Sequence, residues 1–380
     1  MRSFQKLILR RKHTFPLWTT HDLLRSGLPA RGSEATIPYR DFIEWVGIEN
    51  QKSQNFFASQ MSLRARHSLP TTAPFQQLLS HCIARWLLVD YKLNYYPYYN
   101  LNVVLLHTDF HRSLSIARTL LEYFRSTISP GLFDRVTVFL VPLHDDSRRK
   151  LIPDTKIKIV DHSLFSTEPD FLVDDPAHIL MVDDIMRNLS QDLIVRRGNE
   201  WHQGFVDIAT DGSRNMRLEM DMDYWCNKTF RLLEGHLNGA AGDEAFIPTK
   251  LVQLLHILKL CVPDHRLLAI DYCATYRPSL VDRLKGLCGY KMQDYHMSQR
   301  IGPVNPLHSW EPSSFLCDFN LVKQLYASVN EGMKTCRNDP LETFVESWSD
   351  LDESKKSMDW NEVLSQSESL GQSPLSVLHG

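Results

Sequence analysis

The chain has 380 residues, 43% of them hydrophobic and 23% charged, with a formal net charge of −3. That composition is ordinary for a soluble globular protein. The near-neutral charge, with a pI near 6.6, excludes a surface that is basic overall, as a nucleic-acid or acidic-lipid binder would need. No apolar run approaches the ~18 residues of a membrane span. The seven cysteines, from Cys82 to Cys336, include no Cys-x-x-Cys pair. They fit buried free thiols in a reducing compartment, not a disulfide framework or zinc site.

The first residues carry Arg2, Lys6, Arg10, Arg11 and Lys12, and the first acid is Asp22. Phe4, Leu7, Ile8 and Phe15 fit one helical face opposite those charges. A basic, acid-free amphipathic start predicts a mitochondrial targeting segment over residues 1–35. A basic surface arm is the plainer alternative. Phe42, Trp45 and Val46 then predict a short helix, and Phe75, Leu79, Ile83, Trp86 and Leu87 a strong amphipathic one.

Leu101 to Leu106 reads as a short buried strand, followed by a polar loop from His107 to Ser113 and a helix from about Leu114. Further apolar runs predict strands at Val136–Val141, Ile157–Val160, Ile179–Val182 and Arg266–Ile270. Leu193 to Asp207 alternates around Gly198 as in a hairpin. Helices are expected at Thr249–Leu260, Phe319–Val329 and around Glu342 to Trp348. A polar tail, its first part mobile, is expected from Asp350. Buried strands alternating with helices predict an α/β fold, a mostly parallel sheet with helices on both faces. Ligands in such folds sit at the carboxyl ends of the strands, beside the loop that follows the first strand. That loop is normally glycine-rich, yet no glycine occurs between Gly47 and Gly131.

Four stretches together carry a resemblance: HCIARWLLVDYKLNYYPYYNLNVV, ILMVDDIMRNLSQDLIVRRGNEWHQGFVDI, FIPTKLVQLLHILKLCVPDHRLLAIDY and LETFVESW. From about Ile37 onward the chain resembles the mitochondrial protein-arginine methyltransferases that assist respiratory complex I assembly, and their bacterial MidA relatives. The resemblance implies a Rossmann-like methyltransferase fold with a partly helical insertion, S-adenosylmethionine as cofactor and a location in the mitochondrial matrix. It also implies a mitochondrial protein partner, such as a respiratory-complex subunit. The domain would run over residues 36–330, with the insertion around 208–248 and a C-terminal helix and tail over 331–380.

Set against that family, the cofactor positions depart. Where the family has a strand-end glutamate and a Gly-x-Gly-x-Gly turn, this chain has Leu105 and then His107-Thr108-Asp109-Phe110-His111. The carboxylate that would end the second strand is replaced by Pro142, with Asp145 and Asp146 beyond it. Asp184 keeps an acid where the family has glutamate, but Arg187 replaces an aspartate. Asp271, at the end of RLLAI, lies near the site by resemblance or caps an ordinary turn. The remnant crevice is therefore His107, Asp109, His111, Asp184 and Asp271, with no catalytic residue assigned.

Three readings follow. One is a protein whose cofactor site has decayed, leaving a binding or assembly role. The second is an active methyltransferase with a non-standard loop. In the third, His107-x-Asp109 with His111 holds iron as a facial triad does, although that triad belongs on a β-barrel. Asp221-x-Asp223 looks like a metal–nucleotide pair, but no phosphate-binding loop lies near it.

Overall fold

The computed structural model describes residues 35–44, 73–143, 154–165, 171–182, 185–186, 189–211, 213–237, 243–272, 318–349 and 375–380. The apolar runs become the strands of one large sheet: β2 (Leu101–His107), β3 (Val136–Pro142), β4 (Ile157–Ile159), β5 (Ala177–Met181) and β10 (His265–Tyr272). These five are parallel, as buried, unalternating apolar runs require. Two C-terminal strands complete the sheet, β11 (Arg337–Pro340) and β12 (Leu375–His379). The order is β11-β12-β10-β5-β2-β3-β4, with β12 antiparallel to both neighbours.

Successive side chains alternate between two cores, as the period of a strand demands. Val104, Leu106, Ile179, Met181, Leu267 and Ala269 face one layer, which holds α5 (Thr249–Cys261) and α6 (Phe319–Val329). Val103, Leu105, Leu180, Val182, Leu268 and Ile270 face the other. That layer holds α1 (Ala73–Asn94), α2 (Phe110–Thr127) and α7 (Leu341–Trp348), with the short α3 (Pro130–Phe133) leading into β3. From β2 the chain winds outward through β3 to β4, then returns to β5 on the other side of β2 and proceeds to β10. The switch point is therefore the crevice between the carboxyl ends of β2 and β5.

A second, antiparallel sheet joins β1 (Ala35–Pro38), β6 (Asp192–Arg197), β7 (Glu200–Ile208), β8 (Arg214–Glu219) and β9 (Glu244–Ile247). Helix α4 (Tyr224–Leu237) packs beside it. The expected hairpin is β6–β7, and Gly198 turns it with φ of +65°, a backbone state that glycine adopts without strain. The excursion between β5 and α5 is thus largely sheet, and it starts earlier than residue 208. It also recruits β1, whose residues pair with Phe205 to Ile208 of β7.

Two expectations are corrected. The polar loop from His107 to Ser113 shrinks to Thr108 and Asp109, because β2 runs on through His107 and α2 opens at Phe110. The chain does not end in a polar tail: Leu375, Val377 and Leu378 are buried in β12 between β10 and β11. The targeting segment, Trp45, Val46 and the tail from Asp350 to residue 374 lie outside the described residues. Among the described residues no helix is long and apolar enough to cross a membrane.

Candidate functional site

At the head of the crevice the chain turns from β2 into α2 with its own atoms filling the turn. His107 is buried, and its ring meets that of Phe110 edge to face at 5.8 Å. Phe110 is itself buried and touches His111 on its other side, also at 5.8 Å. The first N–H groups of a helix have no partner within it, which makes a helix start a ready anion site. Here Asp109 supplies that anion. Its Oδ1 accepts from the backbone N–H of His111 at 3.0 Å and of Arg112 at 3.3 Å, and its carbonyl accepts from Ser113 at 3.2 Å.

Neighbouring strand ends are tied to this turn through the backbone. The N–H of Leu143 donates to the His107 carbonyl at 2.9 Å, and that of Leu164 to the Pro142 carbonyl at 3.1 Å. Ser163 Oγ donates to the Leu143 carbonyl, and Leu143, Leu164 and Phe165 are all buried. Pro142 pairs in register with His107, so the second strand ends against the turn without a carboxylate.

The sequence-predicted residues are not gathered into one site. His107 shares the face of Val103 and Leu105, toward α1 and α2. Asp271 follows Leu267 and Ala269 onto the opposite face, where it is buried in register with Ser376 of β12. Asp109 is a helix cap, His111 is exposed, and Asp184 lies outside the described residues. Among the described residues no group of three or more His, Cys, Asp or Glu is placed to hold a metal ion. The turn therefore does not assemble the iron triad.

Sequence reasoning missed a second cluster altogether. Helix α5 runs from the carboxyl edge of the sheet toward the amino edge where β10 begins, so its first turn lies on the crevice side. There Lys250, buried, meets Glu44 at 2.8 Å and Asp41 at 3.4 Å and stands 5.1 Å from the Phe165 ring centre. Arg40, on the helical turn over residues 39–44, is 1% exposed, and its Nη1 bridges Asp192 at 2.6 Å and Asp223 at 2.8 Å. Gln203 Nε2 donates to the same two carboxylates at 3.0 and 2.7 Å, while its Oε1 accepts from the N–H of Asp223 at 2.8 Å.

The electrostatics follow from burial and pairing. Arg40 loses water, which lowers its pKa, but Asp192, Asp41 and Asp223 more than offset this and hold it charged. Burial lifts the pKa of Asp192 above the ordinary carboxylate value, against the pull of Arg40. Burial also pushes Asp223 up, yet Arg40 and the N–H of Cys226 outweigh it and leave Asp223 low. Asp223 caps α4 as well, accepting from Trp225 and Cys226 at 2.9 and 3.0 Å. That duty, not a metal, accounts for Asp221-x-Asp223. Each charge in the cluster is spent on another, so the arrangement clamps residues 39–44, β6, β7, α4 and α5 together. The sequence signal was faint: charges at Arg40, Asp41 and Glu44 within an apolar stretch, and Lys250 opening an apolar helix.

Comparison with known proteins accounts for this frame. Residues 82–307 match the family of S-adenosyl-L-methionine-dependent methyltransferases. A Saccharomyces cerevisiae protein named "Protein arginine methyltransferase NDUFAF7 homolog, mitochondrial" is 32% identical over 394 residues, covering 97% of this chain and 96% of its own. Two crystal structures from Burkholderia thailandensis share the fold at 11% identity, each covering 95% of this chain and 89% of its own. One is bound to S-adenosyl-homocysteine (TM-score 0.54), and the other is a native, uncharacterized protein of the same superfamily (TM-score 0.51). The chain thus belongs to the S-adenosyl-L-methionine-dependent methyltransferase family.

Proposed function

We propose that this chain is a mitochondrial matrix member of its family that works by binding a protein partner in an assembly role, its cofactor crevice having closed. The observation that carries the reading is the β2–α2 turn. By the family resemblance, the methionine part of the cofactor lies against bare backbone at that position, beside the first N–H groups of the helix. Here His107 and Phe110 are buried in the turn, and the Asp109 carboxylate takes two of those N–H groups. These features support a turn that no longer holds S-adenosylmethionine as the family resemblance implies. Side chains forced into a packed site typically cost about 1–3 kcal/mol, and losing a carboxylate–hydroxyl pair about as much again. Together these amount to two to four decades of affinity, on the order of complete loss at cellular concentration.

Location and partner rest on two supports. One is the basic, acid-free N-terminal stretch. The other is the yeast relative, named mitochondrial and a homolog of a protein arginine methyltransferase. The partner we expect is a subunit of a respiratory complex. Calorimetric titration of the purified chain with S-adenosylmethionine and S-adenosyl-homocysteine should show no heat of binding, and neither should shift its melting. Micromolar binding would overturn the reading. Transfer of a radiolabelled methyl group to protein in a mitochondrial extract would then mark an active enzyme with an unusual turn.

A further inference from the structure

We propose that the strand-start edge of the large sheet, opposite the crevice, docks a positively charged segment of a partner polypeptide on Tyr98, Tyr99 and the aspartates beside them. Large apolar side chains are concentrated on this surface. Tyr98 is 86% exposed and Leu93 77%, with Tyr96, Tyr99 and Val89 also exposed, all within residues 89–99. Isolated exposed side chains need no explanation, but a contiguous patch marks an interaction site. Val89 and Leu93 are four residues apart, one stripe on the last turns of α1, and the stripe runs directly into the tyrosine turn.

That turn is held rigidly. The N–H groups of Tyr95 and Tyr96 donate to the Tyr91 carbonyl at 2.9 Å, and those of Tyr98 and Tyr99 to the Tyr95 carbonyl at 3.0 and 3.1 Å. The Tyr91 hydroxyl donates to the Tyr99 carbonyl at 2.7 Å. Rings displayed on a fixed turn lose little freedom when a partner arrives.

Strand register identifies the chemistry of the neighbours. Leu101 pairs with Val136, Asn102 with Ala177, and Ala177 with His265. Exposed carboxylates therefore flank the turn on both sides, at Asp134 before β3, at Asp174 and Asp175 before β5, and at Asp264 before β10. Most cations of this edge are already engaged, Lys92 on the last turn of α1 standing exposed among the apolar side chains. Arg135 donates to Asn100 at 3.2 Å, Arg266 pairs with Asp90 at 2.8 Å, and Lys156 and Lys334 donate to backbone carbonyls. Arg135 also lies over the Tyr96 ring, 5.7 Å from its centre, so the patch already uses an aromatic face to hold a guanidinium. Lys156 Nζ also lies 3.7 Å from Asp134 Oδ1, so the tyrosine faces stand beside the exposed carboxylates of Asp174 and Asp175, a setting that suits arginine and lysine side chains. A second copy of this chain would bring like charges together and is disfavoured there. The proposal stands whether or not the crevice binds S-adenosylmethionine.

The test is fluorescence anisotropy of the full chain with a labelled arginine–glycine peptide and a glutamate–glycine peptide of equal length. The basic peptide should bind, more weakly as salt rises, and the acidic one should not. Tyr98→Ala with Tyr99→Ala should weaken binding about tenfold, and Asp174→Asn with Asp175→Asn several-fold with a flatter salt dependence. Met220→Ser, at the exposed residue just after β8 of the other sheet, should leave binding unchanged. Because Tyr98 is so exposed, melting of the tyrosine variant should match the parent chain. Equal binding of both peptides, no binding, or variants that bind like the parent would each overturn the proposal. So would sedimentation showing a dimer that the tyrosine substitutions dissociate, since the occupant would then be a second copy.

Discussion

Replacing Arg40 by methionine isolates the contribution of the buried clamp. The side chain is 1% exposed and its Nη1 is the bridge between Asp192, which is fully buried, and Asp223. Methionine occupies much of the same volume but leaves both carboxylates facing an apolar atom. Deleting one partner of a buried pair costs about 3–5 kcal/mol, because the other charge is left without compensation. Gln203 still donates to both carboxylates, which argues for the lower half of that range. With an unfolding entropy of about 0.8 kcal/mol/K for a chain of 380 residues, that is a fall in melting temperature of about 4–5 °C.

The pH dependence gives a sharper signature. Burial already lifts Asp192, and without Arg40 nothing comparable opposes it. The variant's Asp192 then keeps its proton in the folded state to higher pH, so the deficit relative to the parent grows as pH rises from 5 to 8. Scanning calorimetry at both pH values reads this directly. Adding Asp192→Asn to the variant should recover part of the loss, since the orphaned charge is gone. A deficit below about 1 °C at pH 8, or a double variant as unstable as the single one, would refute the reasoning.

Asp109→Ala should cost about 1 kcal/mol through the lost α2 cap, while Asp109→Asn costs only a few tenths; urea midpoints separate the two. His265 is buried beside the Lys334 ammonium, and burial foremost pushes its pKa down to about 4. Protons therefore bind the unfolded chain first. The stability tied to this ring, up to about 3 kcal/mol, is complete above pH 6.5 and lost as pH falls toward 4. His265→Gln should flatten the stability profile across that window. Removing the residues from Leu375 onward strips three buried apolar side chains from the sheet, a loss of about 5 kcal/mol before the unpaired edges of β10 and β11 are counted. Circular dichroism and solubility of the truncated chain should show misfolding, where a mobile tail would be dispensable.

The central frame was legible in the sequence because strands buried on both faces must be apolar throughout. Val103 to Leu106, Val136 to Val141 and Ile179 to Met181 cannot be much else. Helix α5 was equally plain from Leu251, Leu254, Leu255 and Leu258. The start of α2 was misread because its first turn, Phe110 to Ser113, is largely polar, and periodicity shows only from Leu114. Asp109 before Phe110 was the better signal, a capping residue opening a helix. β12 escaped because its five residues follow a long Ser- and Glu-rich stretch and pair with strands far away in sequence. Arg40 and Lys250 escaped for another reason: charged residues read as surface until tertiary packing buries them against Asp192 and Glu44. No local pattern encodes that.

On the proposed reading, the missing glycines and Asp109 are two sides of one change. A helix that ends in a ligand site leaves its first N–H groups for the ligand, and a glycine turn lets the ligand reach them. A helix without a ligand must satisfy those groups itself or lose stability. Asp109 does this with one carboxylate, in a turn of two residues that His107 and Phe110 pack from either side. Reversal at one position should therefore fail. Asp109→Gly would give up the cap's charge-assisted hydrogen bonds, roughly 1 kcal/mol of stability at most, yet leave both rings in place. The expected result is a slightly less stable protein that still gives no calorimetric signal with S-adenosylmethionine. Recovery of binding by that single substitution would mean that the crevice is intact and only its entrance is capped.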